Sequence, residues 1–390
     1  MKVAVTVLVF CVAALLALGM VMLYSSTMAK SGAQLLLMQL VWGTLGVGCC
    51  VAATVMDYRW LRKAAWPLLG IAVILLALVL LKQVGIKTNG ARRWLGHGAV
   101  RFQPSELAKV AILIALAWYG ERYQRQMSTW KRGVLIPAVF VGVVLALIFV
   151  EPDRGTTILL AAVSGTLLLV AGVRWRFIIP PILLGIVGLG ISLLHDSMRT
   201  RRIFAWLNLE EHKSGAGYQA YQAMLALGAG GWTGLGLGNS RQKLGFVPEN
   251  HTDFIFSIIG EELGLVATLL VIVAFVAIVV CAVYIALRAP DTFGLLLGSG
   301  IAFLIGFQAF INIGVVTSAL PNKGLPLPFI SYGGSSLVIM LTCIGLLLSI
   351  ARFGRAAEES PVGAALREQI PGGRSRGNPF RASEPAPRRA

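Results

Sequence analysis

Charged side chains bordering long apolar stretches are where this chain can do chemistry. A charge held at the centre of a bilayer costs on the order of 3 kcal/mol and persists only when it is paired or used. Asp253 is the foremost of these groups. It stands in the polar run Pro248-Glu249-Asn250-His251-Thr252-Asp253-Phe254, which leads straight into the apolar stretch from Ile255 to Tyr284. That order predicts a carboxylate in the first turn of a membrane helix, held by the exposed amides and the positive helix end. Facing water there, it can take a proton from a hydroxyl. The same position also suits a plain helix cap. Glu261 and Glu262 follow further along the same stretch. Glu261 lies about 80° around the helix and roughly 12 Å deeper, so it can share a cavity with Asp253 or bond neighbouring helices.

Glu106 and Lys109 are three residues apart in another apolar stretch and fall on one helical face. They can lock two helices as an ion pair, or Lys109 can face an external cavity and meet a phosphate. Asp153 belongs to the tight turn Glu151-Pro152-Asp153-Arg154-Gly155, which either lines such a cavity or is a solvated loop. Lys323 and Ser331 lie in Pro321 to Ser336, a stretch stiffened by three prolines, and can touch a ligand. Gln308 and Asn312, four apart, read as hydrogen-bonding glue between helices.

The elements that must position these groups are transmembrane helices. Of 390 residues, 57% are apolar and 13% charged, and the apolar residues fall in runs of about the length needed to span hydrocarbon. Ten spans are expected, near 3–24, 35–56, 64–82, 104–120, 133–150, 155–172, 176–195, 254–284, 293–318 and 333–352. The first follows Lys2 and is read as a span, because it is long and lacks a clear cleavage site. The fold class is therefore an all-α polytopic membrane protein with a long external loop between the seventh and eighth spans. An even count puts both termini on one side, and Arg59, Arg62, Lys63, Arg122, Arg125, Lys131, Arg132, Arg174, Arg176 and Arg288 make that side cytoplasmic.

The opposite side is also basic, with Arg92, Arg93 and Arg101 in one loop and Lys213, Arg241 and Lys243 in the long one. Its positive charge fits either a lipid-linked pyrophosphate or anionic lipid headgroups. Nucleic acid is not expected as a partner. The loop 196–252 is glycine-rich and is expected to fold onto the membrane surface as short helices. Its Gly234-x-Gly236-x-Gly238 pattern follows no strand and does not signal a dinucleotide fold. Close approach of backbone to a ligand, or turn geometry, accounts for it. Residues 354–390 read as a disordered cytoplasmic tail. The five cysteines all lie in apolar runs without metal-ligand spacing, and no disulfide is expected.

Five stretches, in this order, resemble the SEDS family of membrane peptidoglycan polymerases. They are Asn89-Gly90-Ala91-Arg92-Arg93-Trp94, Gln103-Pro104-Ser105-Glu106-Leu107-Ala108-Lys109, Glu151-Pro152-Asp153, His251-Thr252-Asp253-Phe254 with Glu261-Glu262-Leu263-Gly264, and Pro321 to Ser336. Gly236 to Leu244 is similar to the division branch more than to the elongation branch. Ser318 stands where the family pattern has glycine, and Asn322 where threonine is common. The resemblance implies a ten-helix fold with cytoplasmic termini in the bacterial inner membrane. It implies glycosyl transfer between lipid II molecules at the outer face, during septal wall synthesis. Asp253 matches the family's essential aspartate. The substrate-binding set would then be Arg92, Arg93, Glu106, Lys109, Asp153, Lys243, His251, Glu261, Lys323 and Ser331. Implied partners are undecaprenyl-pyrophosphate-linked glycan, a class B penicillin-binding transpeptidase and other division proteins. A divalent cation, Mg or Mn, is compatible with the family, although the sequence shows no metal site. An elongation-type polymerase, a lipid II flippase and a non-catalytic scaffold remain as other readings.

Overall fold

The computed structural model describes residues 1–88, 91–97, 100–194, 197–248 and 251–359. The tail expected beyond 359, and Asn89, Gly90, Glu249 and Asn250 of the motifs above, lie outside the described residues.

Ten long helices match the expected spans. They are α1 (Lys2–Ser31), α2 (Gln34–Val55), α3 (Leu61–Leu80), α4 (Pro104–Arg122), α5 (Ile136–Val150), α6 (Arg154–Val170) and α7 (Trp175–Leu194), followed after the long loop by α10 (Ile255–Leu287), α11 (Thr292–Val316) and α12 (Gly334–Glu359). The long loop carries two shorter helices, α8 (Ser197–Leu207) and α9 (Tyr218–Gly230). Seven of the ten are long and apolar enough to cross a membrane on their own composition. α4 fails that criterion and is the most enclosed of the set, with fifteen residues buried. It packs on α3, α6 and α11, so protein rather than lipid surrounds its charges.

One feature departs from an all-α chain. The connection from α3 to α4 forms a small antiparallel sheet, β1 (Ile86–Thr88), β2 (Ala91–His97) and β3 (Val100–Phe102), in that order. Lys87 pairs with Arg92 and Leu95 with Phe102. The alternating pattern of these short runs and an Asn89-Gly90 turn are a hairpin signature in the sequence.

α10 orients the molecule. It has 33 residues, about 50 Å at 1.5 Å per residue. Its far end, at Arg288, meets Gly354 of α12 and Met1: a Cβ on Gly354 would lie 2.8 Å from the Arg288 carbonyl and 3.0 Å from the Met1 methyl. Both ends of the described chain therefore sit at one end of the bundle. There Asp291 collects Tyr58 (2.8 Å), Arg59 (3.1 Å) and Arg62 (3.0 Å), and Arg62 also reaches Glu121 at 2.8 Å. Asp253 is at the opposite end.

α10 is not continuous. Gly264 breaks it at φ 77° and ψ −174°, and the glycine-rich segment after α9 is spliced into the gap. Leu265 and Val266 lose their helical carbonyls and donate to Gly231 O (2.9 Å) and Trp232 O (3.3 Å). The carbonyls they leave, those of Glu261 and Glu262, accept from Leu235 N (2.9 Å) and Gly236 N (3.0 Å). Broken backbone near a bilayer is tolerated only where protein re-satisfies it, and here the exchange is complete. The close approach explains the glycines. Added methyl groups on Gly230, Gly234 or Gly264 would overlap the facing backbone, and Gly234 (φ 80°) and Gly264 adopt backbone that other residues avoid.

Gly264→Ala is therefore expected to cost more than the ~1–2 kcal/mol of left-handed backbone alone, because the methyl group also collides with the spliced segment. Thermal unfolding of the detergent-purified protein should show a clear drop in Tm. A Tm equal to that of the native chain would contradict the splice.

Candidate functional site

Asp253 lies in a turn one residue before the N-cap of α10, which is Phe254. This corrects the expectation of a first-turn position: Phe254 supplies no side-chain cap bond, and Asp253 is partly exposed just outside the helix. Its backbone is held unusually firmly. The carbonyls of His251, Thr252 and Asp253 each accept from a different donor: Tyr332 N at 2.9 Å, Ser331 Oγ at 2.6 Å and Asn312 Nδ2 at 2.8 Å. The His251 ring lies 5.9 Å from that of Tyr332.

Those donors belong to α11 and to the loop that follows it. Leu325, Leu327, Phe329 and Ile330 of the loop are buried in the bundle. Asn312 Nδ2 also donates to Leu325 O at 2.6 Å, and Gln308 Nε2 to Pro326 O at 2.9 Å. Asn312 thus grips turn and loop carbonyls rather than a helix, whereas Gln308 does both: it holds the Pro326 carbonyl and accepts from Lys109 of α4 at 3.1 Å, the interhelical bond expected of it. The Ser331 hydroxyl is used twice, because it also accepts from Leu327 N at 2.8 Å. Gly324 packs directly on the Asp253 carboxylate, where an added methyl group would overlap Oδ2. Gly155, at the start of α6, packs on the other side of Gly324 and Leu325; a Cβ there would sit 3.3 Å from Gly324 O.

The turn before α6 carries a second set of charges. Asp153 is the N-cap of α6; it accepts from Thr156 N (3.2 Å) and Thr156 Oγ (3.0 Å) and draws Gln103 Nε2 to 3.4 Å. Arg93 of β2 clamps the turn by donating to Glu151 O (3.1 Å) and Pro152 O (2.6 Å), while Arg92 faces Lys87 across the sheet. Glu151 is fully buried, and neither carboxyl oxygen meets a donor. Burial, and then the charge of Asp153, push its pKa up to about 8 against the pull of Arg93. The Lys323 ammonium is shifted the other way, below the usual lysine range, by burial and by the nearby positive charge of Arg154. Two cations thus crowd the loop that contacts Asp253.

Other expected site residues are engaged within the fold. Lys109 has no exposed surface; it pairs with Glu106 at 2.8 Å and donates to Gln308 Oε1 at 3.1 Å. It joins α4 to α11, and through Gln308 to the loop. Glu261 turns to the long loop, where Ser240 Oγ, Arg241 N (2.9 Å) and Gln242 N (3.4 Å) donate to it. Lys243 pairs with Glu262 at 2.8 Å and donates to Gly238 O at 2.7 Å; Ser25 of α1 donates to Glu262 as well. These contacts hold the splice closed. Reading the sequence alone missed Gly324 and Ser25 as supports, and it gave Asn312 a support role but to a neighbouring helix rather than to the loop. Of the two missed residues, only Gly324, between prolines in a stiff loop, carried a local signal.

Among the described residues no group of three or more His, Cys, Asp or Glu is placed to hold a metal ion. The side chains around Asp253 do not assemble a site for the expected cation, and no step is routed through one. All five cysteines are free.

A protein named as the probable peptidoglycan glycosyltransferase FtsW of Trichlorobacter lovleyi is 42% identical over 354 residues, covering 88% of this chain and 92% of that protein. A chain solved in a study titled "Structural coordination of polymerization and crosslinking by a peptidoglycan synthase complex" superposes with a TM-score of 0.76 at 31% identity, covering 89% of this chain and 97% of that one. The rod shape determining protein RodA of Thermus thermophilus superposes with a TM-score of 0.67 at 32% identity, over 88% and 95% of the two chains. The sequence model of the cell cycle proteins FtsW, RodA and SpoVE matches residues 5–356. With its broken eighth span and its loop-held aspartate, this chain is a member of the FtsW/RodA/SpoVE family of cell cycle proteins.

Proposed function

We propose that this multi-pass membrane protein is a peptidoglycan glycosyltransferase that polymerises lipid II into glycan strands for the division septum, with Asp253 as general base. The carrying observation is the threefold backbone clamp on 251–253, which fixes a partly exposed carboxylate at the end of the bundle away from both ends of the described chain. Positioning of that kind is what a general base requires, and one placed base is worth roughly 10²–10⁴ in rate. Asp253 takes the proton from the acceptor sugar's 4-hydroxyl. That oxygen bonds to the donor's anomeric carbon from the face opposite the phosphate. The carbon–oxygen bond to phosphate breaks with inversion, and undecaprenyl pyrophosphate leaves with the electron pair.

The leaving group's charge needs fixed cations. Lys323 and Arg154 fit best, because Lys323 directly precedes Gly324, which packs on the Asp253 carboxylate, and Arg154 lies close enough to act on Lys323. Arg92 lies in the sheet at the same end. Lys109 and Lys243 hold the scaffold. His251 and Ser331 fix the 251–253 segment, Arg93 and Asp153 fix the turn before α6, and Glu106 and Glu261 fix their helices. Both described chain ends lie at one end of the bundle, which is taken as cytoplasmic, so the reaction takes place at the outer face. The solved relative was studied as a complex that polymerises and crosslinks, which supports a transpeptidase partner for this chain.

Asp253→Asn should lower glycan polymerisation by about 10²–10⁴ while leaving Tm unchanged. The assay is the purified protein with its transpeptidase and lipid II, read as glycan length on a gel; normal polymer from the variant would sink the assignment. Gly324→Ala should lower kcat and leave substrate binding nearly intact, because its methyl group displaces the carboxylate. A raised KM with unchanged kcat would place Gly324 in binding instead.

Glu151 gives a pH dependence. Its folded pKa, about 8, is above the ordinary 4.5. The stability it confers is fully present below pH 4.5 and is lost as pH rises to about 8, because unfolding increasingly releases its proton. The Tm of the native chain should fall more steeply between pH 5 and 8 than that of Glu151→Gln, whose amide stays neutral. Parallel pH profiles would show that Glu151 is ionised in the fold.

A further inference from the structure

We propose that the groove between α1, α2 and α12, at the end where both ends of the described chain lie, binds one anionic phospholipid. Its phosphate would sit on Arg352 and Arg355, with an acyl chain along Val5, Val9 and Leu348. The groove has a volume of about 430 Å³, within the range of small-molecule pockets. Its lining changes character along a single helix face. Leu348, Arg352 and Arg355 follow at helical spacing on α12, and this run rises about 10 Å from aliphatic to cationic. Val5 and Val9 form the opposing stripe on α1. A soluble anion would use only the cationic end, whereas an amphiphile matches the whole gradient.

The depth also fits. The apolar span of α12 runs Gly334–Ala356, so its arginines lie in the last turns, where headgroups begin. Arg352 is pre-positioned in the groove lining by one nitrogen, Nη2, which donates to Val55 O of α2 at 2.6 Å. Among the described residues that line the groove, two are guanidiniums and none is acidic, which favours a net negative headgroup over a zwitterionic one.

The test is native mass spectrometry of the full chain in detergent, with phosphatidylglycerol or phosphatidylcholine added at equal concentration. One phosphatidylglycerol should be retained in preference to phosphatidylcholine. Arg352→Gln with Arg355→Gln should reduce its retention about tenfold. Val9→Trp, which fills the groove and leaves both arginines in place, should reduce it as well, and decides the matter if the double variant unfolds. Arg122→Gln with Arg125→Gln, elsewhere at the same end, should leave retention unchanged. Equal retention of the two lipids, undiminished retention in the groove variants, or an equal fall in the Arg122/Arg125 control would overturn the proposal.

Discussion

Backbone polar groups near a bilayer must find partners within the protein, and this fold meets that demand at the place where it departs from regular helix. α10 is interrupted at Gly264, yet its freed amides and carbonyls are taken up by residues 231–236. The interruption divides the helix into a long span beyond Gly264 and a short outer segment that carries Glu261 and Glu262. The two carboxylates then draw in the 238–243 turn through Ser240, Arg241 and Lys243. One glycine in one helix thereby helps anchor residues 231–243 of the long external loop. The same short segment sets the entry point of α10, and so the direction from which residues 251–253 arrive.

The ionic side chains within the bundle serve that geometry. Breaking a buried pair by removing one partner leaves an uncompensated charge, at a cost of about 3–5 kcal/mol. The Lys109–Glu106 pair and the Lys243–Glu262 pair are both of this kind. Lys109 also holds Gln308, and Gln308 holds the Pro326 carbonyl. A charge on α4 therefore reaches the loop against Asp253 through one amide side chain. In the proposed reaction such a chain of contacts would give Lys109 a positioning role, without contact to substrate.

Much of this was legible in the sequence. The ten spans were, because hydropathy over twenty residues is a strong signal and a helix is the form a lone span can take. The sheet at 86–102 was carried by weak alternation and an Asn-Gly turn, and helical periodicity elsewhere masked it. Ser318 was singled out as standing where glycine is usual, and it adopts φ 57° just after α11, the left-handed position that closes many helices. Lys109, Glu261 and Lys243 read as candidate ligands because residue type and span place a charge but not its partner. Their partners lie far away in sequence: Gln308, the 240–242 turn and Glu262.

Asp153, Asp253 and Asp291 stand at the starts of α6, α10 and α11, and the differences between them bear on which can act. Asp153 caps α6 by accepting from Thr156 N, and Asp291 caps α11 by accepting from Gly294 N at 2.7 Å. A carboxylate that accepts amide bonds is stabilised in its charged form and is a poorer base for it. Asp253 does not hold the cap position of α10. Phe254 holds it, with a side chain that cannot cap. The orientation that a cap would have given is supplied instead from outside the helix, through the backbone carbonyls of 251–253 and the close seat of Gly324. Fixing the main chain gives Asp253 a defined position through contacts that lie outside the cap position of its own helix.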